Sequence, residues 1–111
     1  MLKDQTAIVT GSTSGIGLGI AQALAGAGVH VMLNGFGDKE MIEKLRGSLA
    51  QQYGIKTAYS AADVSKPAEV RALVADAERQ LGAVSILVNN AGIQHVASIE
   101  GFRKMGRDHG D

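Results

Sequence analysis

Apolar residues along the chain fall alternately into short unbroken runs and longer periodic stretches. Residues 5–10 read as a short strand in which Ala7, Ile8 and Val9 are apolar on both faces. Such strands belong to parallel sheets covered by helices on both sides. From about Ser14 to Ala27 the period becomes helical. Ile16, Ile20, Ala23, Leu24 and Ala27 recur at spacings of three and four and predict one buried stripe, with Gly28 as a left-handed stop. Val29 to Leu33 predicts a second strand, followed by the loop Asn34-Gly35-Phe36-Gly37. Asp38 suits the cap of a second helix, which carries Ile42, Leu45 and Leu49 inward and ends near Gly54. Lys56 to Ala61 reads as a weaker third strand, with Asp63 after it. Ser65 and Pro67 open a third helix whose stripe is Val70, Leu73, Val74, Ala77 and Leu81, stopped by Gly82. Val84 to Val88 predicts a fourth strand, and Asn89-Asn90-Ala91-Gly92 the loop at its end.

The order β-α-β-α-β-α-β predicts an α/β fold, a Rossmann-like doubly wound parallel sheet of about four strands and three helices, incomplete as such sheets go. Residues 1–100 are expected to form this partial domain, without repeats or a linker. Gly101 to Asp111 has three glycines, many charges and no period, and is expected to be disordered.

The stretch that carries chemistry is Thr10-Gly11-Ser12-Thr13-Ser14-Gly15-Ile16-Gly17, where the first strand turns into the first helix. Gly11 suits backbone angles that a Cβ opposes. Gly15 leaves room for amides to approach a pyrophosphate, and Gly17 allows close helix–strand packing. The helix start then offers unpaired N–H groups and a partial positive charge to phosphates. An ordinary glycine-rich turn is the alternative, and the flanking strand and helix are what favour a nucleotide site.

The bulk properties narrow the class. The chain has 111 residues, is 45% hydrophobic and carries 11 basic and 11 acidic side chains. With the charges cancelled and no basic face, neither nucleic acid nor an anionic membrane is an expected partner. Cysteine is absent, which removes disulfides and thiolate–metal sites. Met1 leads directly into Lys3 and Asp4, unlike a signal peptide, and no apolar run reaches the length of a membrane helix, so a cytoplasmic protein is expected. His30, His95 and His109 lack metal-ligand spacing; Asp108, His109 and Asp111 form at most a weak site.

The glycine stretch resembles the TGxxxGxG cofactor loop of the short-chain dehydrogenases/reductases, and Asn89-Asn90-Ala91-Gly92 resembles that family's NNAG motif. Their separation matches, as does Asp63-Val64 between them. Leu33 to Asp38 and Ala91 to His95 are similar to the bacterial D-3-hydroxybutyrate dehydrogenases within the family. The resemblance covers residues 1–100 and implies an oxidoreductase that moves a hydride between a nicotinamide cofactor and an alcohol or ketone, here a small hydroxy acid. It implies that Gly11, Gly15 and Gly17 shape the pyrophosphate loop, lined by Ser12, Thr13 and Ile16, with Phe36 bordering the cofactor. Asp63 would accept from the adenine amino group and Val64 pack on the ring. Asn90, Ala91 and Gly92 would border the riboses, Asn89 would tie the central strands, and Gln94 would hold a substrate carboxylate. On their own, Asp63 reads more often as a helix-capping or loop aspartate, Asn89 and Asn90 could be turn residues only, and Gln94 and His95 read most often as surface residues.

The expected cofactor is NAD, although one feature departs from its usual signature. Many NAD-binding sheets carry a carboxylate for the ribose 2′-hydroxyl at the end of the second strand, and Gly35 stands there. No Arg or Lys stands in the glycine loop or at position 36, where a 2′-phosphate would want one. Family members use a tyrosine with a lysine four residues on, whose charge lowers the phenol pKa from near 10. The residue four after Tyr53 is Thr57 and four after Tyr59 is Asp63, so this pair is absent and the chain alone is expected to be inactive. Neither a G-x-S-x-G elbow nor a P-loop is present.

The last residues suggest a frameshift. Arg103 to Asp111 can be encoded as CGG AAA ATG GGA CGC GAT CAT GGC GAT, which one nucleotide on reads Gly-Lys-Trp-Asp-Ala-Ile-Met-Ala, similar to a helix the family places next. A truncated product would leave an apolar edge on the fourth strand and be marginally stable. A non-catalytic nucleotide-binding remnant and a misfolding product are therefore alternatives to an enzyme, and within the family a dehydrogenase acting on another alcohol or ketone is an alternative to the hydroxybutyrate enzyme. Full-length relatives are expected to be homo-oligomers.

Overall fold

In a computed structural model of the chain, residues 2–90 are described in full and His95–Ala97 as backbone. The elements are β1 (Thr6–Val9), α1 (Gly15–Gly26), β2 (His30–Asn34), α2 (Lys39–Tyr53), β3 (Thr57–Ser60), α3 (Pro67–Leu81), β4 (Val84–Asn89) and β5 (His95–Ala97). The sheet order is β3-β2-β1-β4-β5. The first four strands are mutually parallel, with Val9 of β1 opposite Leu33 of β2 and Val88 of β4. This is the Rossmann-like sheet with three helices that the strand–helix alternation predicts.

Alternation along the strands divides the core. Ile8, Met32 and Leu87 join Val70, Leu73, Val74 and Ala77 of α3 on one face. Val9, Val31, Leu33 and Val88 join Ala21 and Ala25 of α1 and Leu49 of α2 on the other. Each strand thus spends both faces on helices, as its unbroken apolar run requires. The stripe expected on α3 is buried in full.

Two expectations need correction. The stripe expected on α1 is only partly its packed face: Ile20 and Leu24 meet the core, and Ile16, Ala23 and Ala27 do not. Gly17, Ala21 and Ala25 are the buried residues, four apart, whereas Ile16 is 62% exposed and Ala23 and Ala27 face out. Close approach to the sheet selects the smallest side chains for the buried line, while Ile20 and Leu24 of the expected stripe pack half-buried at its flanks. The edge of β4, expected to be open, carries β5 in antiparallel pairing, with Val88 opposite Val96 and Asn89 opposite His95. That connection is short enough for an antiparallel return, whereas a parallel neighbour requires a long crossover.

The expected disordered tail at residues 101–111 lies outside the described residues. So do the weak metal site at Asp108, His109 and Asp111 and the side chains of Ala91, Gly92, Gln94 and His95. No helix among the described residues is long and apolar enough to cross a membrane.

Candidate functional site

The carboxyl ends of β1, β2 and β4 meet the start of α1, and the peptide between them is fixed by buried polar groups. Gly11 and Gly15 both adopt φ of +60°, in the left-handed region. Ser12 is fully buried: its Oγ donates to the Val9 carbonyl at 2.7 Å and accepts from Asn34 N at 3.0 Å. Its amide donates to the Asn34 carbonyl. Expected to line the loop, Ser12 instead turns inward and anchors it, because a buried hydroxyl must find partners.

Asn34, which the sequence did not single out, is the hub. It is 2% exposed. Its Nδ2 donates to the Ser60 and Ala62 carbonyls at 3.1 and 2.9 Å, and its Oδ1 accepts from Gly11 N at 3.3 Å. One side chain thereby joins the ends of three strands. The available signal was an amide directly after the apolar run Val31-Met32-Leu33.

On the other side, Thr10 N donates to the Val88 carbonyl at 3.0 Å and Thr10 Oγ1 donates to Asn89 Oδ1 at 3.2 Å. Asn90 N donates to Thr10 Oγ1 at 2.8 Å, and Asn90 Nδ2 to the Gly11 carbonyl at 3.1 Å. These bonds lock β4 to the glycine loop. A Cβ on Gly17 would overlap the Gly11 carbonyl oxygen and lie 2.6 Å from Asn90 Nδ2. Around Gly15, by contrast, an added Cβ would meet nothing within 4 Å. One glycine is thus required by contact inside the fold and the other lies at an open surface. Asn90 Oδ1 is buried without a hydrogen-bond partner among the described residues, an unspent acceptor beside the loop.

The start of α1 is uncapped. Ser14 sits in extended backbone with no side-chain cap bond, and no acidic residue lies in the first turn. The first amides of a helix have no intrahelical partner, and the helix dipole adds partial positive charge there. The N-cap residue Ser14 lines a cleft of about 390 Å³ together with Gly11, Thr13, Asn34, Gly35, Phe36, Ala62, Asp63, Val64 and Ser65. No Arg or Lys is among these, and Asp63 is the one acid. Asp63 Oδ1 accepts from Ser65 Oγ at 2.7 Å and Ser65 N at 3.0 Å. Those two bonds, the hydroxyl first, hold its carboxyl below the usual aspartate range. Phe36, which lines the cleft, is 71% exposed. Of the expected site residues, Gly11, Thr13, Phe36, Asp63 and Val64 converge on this cleft, and Gly15, Ile16, Gly17 and Asn90 surround the adjoining loop. Ala91, Gly92 and Gln94 fall outside the described residues.

An open helix start against a glycine loop on a parallel sheet defines a Rossmann-like α/β fold, and the chain belongs to the short-chain dehydrogenase family, whose model matches residues 5–106. The chain is 52% identical over 102 residues to a D-beta-hydroxybutyrate dehydrogenase of Cupriavidus necator, covering 92% of this chain and 39% of that protein. It is 44% identical over 98 residues to the enzyme of the same name from Rhizobium meliloti, covering 88% and 38%. Among solved structures, L-sorbose reductase from Gluconobacter frateurii, complexed with NADPH and L-sorbose, superposes with a TM-score of 0.75 at 34% identity. That match covers 89% of this chain and 37% of the reductase. The chain therefore spans about two fifths of the length of the curated relatives it matches.

Proposed function

We propose that the chain is the nucleotide-binding part of an NAD-dependent 3-hydroxybutyrate dehydrogenase. The observation that carries the reading is the uncapped start of α1 facing a cleft without cations. Amides and a helix dipole suit a pyrophosphate. A cation-free cleft holding Asp63 suits a ribose hydroxyl and disfavours a 2′-phosphate. The unspent Asn90 Oδ1 and the open space at Gly15 are what a polar ligand would fill. The similarity to the two hydroxybutyrate dehydrogenases supports the substrate class. The sorbose reductase complex, which holds NADPH, makes the cofactor choice the point most in need of a test.

In this reading Gly11, Gly15, Gly17 and Thr13 hold the pyrophosphate region and Ile16 borders it. Phe36 flanks the adenosine. Asp63, kept ionised by Ser65, accepts from the adenine amino group, and Val64 packs on the ring. Asn90, Ala91 and Gly92 border the riboses, and Gln94 meets the substrate carboxylate. Bound NAD supplies the hydride acceptor for the carbinol carbon, so that 3-hydroxybutyrate becomes acetoacetate with release of one proton. These 111 residues contain no Tyr-x-x-x-Lys pair to take that proton. The chain alone therefore binds and does not turn over. In this reading it acts in the cytoplasm, and its full-length relatives are homo-oligomers.

A non-catalytic nucleotide-binding module is the second reading, favoured by the same missing pair. Titration of NADH into the purified chain, followed by cofactor fluorescence with far-UV circular dichroism on the same sample, tests both. Saturable binding by a helical protein is expected, and, with NAD supplied as the oxidant, no detectable oxidation of 3-hydroxybutyrate. A folded chain that ignores NADH contradicts both readings.

A further inference from the structure

Gly35 stands where a carboxylate often meets the ribose, and the structure shows why no side chain fits. Its φ is +143°, and an added Cβ would lie 2.6 Å from Thr13 Oγ1 and 3.2 Å from Thr13 Cγ2. Thr13 occupies the volume in which a side chain at 35 would begin. The Thr13 hydroxyl donates to the Phe36 carbonyl at 3.1 Å, which commits its proton and leaves its lone pairs free to accept. From the other side the Tyr59 hydroxyl donates to the Gly35 carbonyl. The Tyr59 ring packs into the core under α1 and α2, and burial raises its pKa, so it remains a donor at neutral pH. The Gly35–Phe36 turn is thus braced at both carbonyls by side chains from two other elements.

We propose that Thr13 replaces the missing carboxylate as the acceptor for the adenosine ribose 2′-hydroxyl, in a seat that Tyr59 holds as a positioning residue. This rests on the reading that the cleft takes a nicotinamide dinucleotide. The arrangement selects by proton inventory. A ribose hydroxyl needs an acceptor, which Thr13 provides. A 2′-phosphate needs donors, and the side-chain donors around the Gly35–Phe36 turn are spent. Thr13 donates to Phe36, Tyr59 to Gly35, Asn34 Nδ2 to Ser60 and Ala62, and Ser65 Oγ to Asp63. The Ser14 hydroxyl makes no cap bond, but one neutral donor does not balance a phosphate beside Asp63. Discrimination by unpaired groups is stronger than discrimination by shape alone.

The test is a set of dissociation constants for NADH, 2′-deoxy-NADH and NADPH, read by cofactor fluorescence. The wild-type chain is expected to prefer NADH over the 2′-deoxy analogue by about fivefold to tenfold, the worth of one hydrogen bond. NADPH should bind more weakly still. In Thr13→Val the preference over the 2′-deoxy analogue should fall to about one, while Thr13→Ser keeps it. Tyr59→Phe preserves the packed ring and should narrow both ratios while the circular dichroism stays as in wild type. If wild type binds NADH and the 2′-deoxy analogue equally, or Thr13→Val keeps the wild-type ratio, the proposal is overturned and the dinucleotide reading stands. Unchanged ratios in Tyr59→Phe overturn the role given to Tyr59. If wild type binds none of the three, the dinucleotide reading fails and the proposal with it. The wild-type comparison requires no variant, so it decides even if Thr13→Val does not fold.

Discussion

Helices α1 and α2 both begin at the carboxyl end of a parallel strand, yet the two starts are built differently. At α2, Asp38 Oδ1 accepts from Glu40 N at 2.8 Å and Met41 N at 3.1 Å, and Glu40 adds negative charge to the first turn. At α1, Ser14 makes no side-chain cap bond and the first turn has no acid. Even α3, which opens on Pro67, has Glu69 in its first turn. Only α2 bonds its first amides with a carboxylate; α3, whose N-cap Lys66 also makes no side-chain cap bond, has an acid in its first turn, and α1 has neither. Ser is a common capping residue, and the absence of its cap bond at Ser14, beside a glycine loop, is informative for that reason.

The largest test of this contrast is steric. Gly17→Ala puts a methyl group into the Gly11 carbonyl and against Asn90 Nδ2. It should cost about 1–3 kcal/mol in urea unfolding and abolish NADH binding. Gly19→Ala, two residues on in the same helix, meets nothing within 4 Å. It should stabilise by about 0.5–1 kcal/mol, since a mid-helix glycine loses more backbone entropy than alanine. If both variants behave alike, the close approach at Gly17 is not what fixes the loop.

Electrostatics gives the sharper reversal. Ser14→Asp would make the start of α1 resemble that of α2, adding about 0.5–1 kcal/mol of stability. The same charge about 5 Å from a pyrophosphate costs roughly 1–2 kcal/mol in a water-like medium, and should weaken NADH on the order of tenfold. Stability and affinity must move in opposite directions, which thermal melts and fluorescence titration on one sample would show. Asp38→Ala is the mirror experiment. It should lower stability by about 1 kcal/mol and leave NADH affinity near wild type.

The smallest expected effect concerns Asp63. Its carboxyl is held below the usual aspartate value near 3.9 by the Ser65 hydroxyl and amide. A depressed folded-state pKa contributes stability above the unfolded value, lost only as pH falls through the lower folded one. Carboxyl ¹³C shifts should therefore titrate below pH 3.9, and Asp63 should add no pH dependence to NADH binding between about pH 5 and 8. In Ser65→Ala the midpoint should rise toward the ordinary value.

Where hydrophobicity and period agree, the sequence is readable: the stripe of α3, the strands buried on both faces and the glycine loop all lie where the pattern puts them. It misleads where size outweighs hydrophobicity. Ile16 and Ala27 look like core, but Gly17, Ala21 and Ala25 let α1 approach the sheet. Polar anchors were harder to see. Ser12, Asn34 and Tyr59 owe their roles to partners distant in sequence, such as Ser60 for Asn34 and Gly35 for Tyr59. A three-residue strand such as β5 carries too little alternation to be noticed. The three glycines of the loop were legible because their requirement is local backbone geometry, whereas the brace around Gly35 depends on three elements meeting.

The most direct test of the open helix start is a titration of the ¹⁵N-labelled chain with NADH, followed by amide correlation spectra. The account predicts saturable shifts concentrated at Gly15, Ile16 and Gly17, with Glu40 and Met41, already bonded to Asp38, close to their free positions. Shifts at the start of α2 equal to those at α1, or a folded chain with no saturable shift at Gly15 to Gly17, would contradict it.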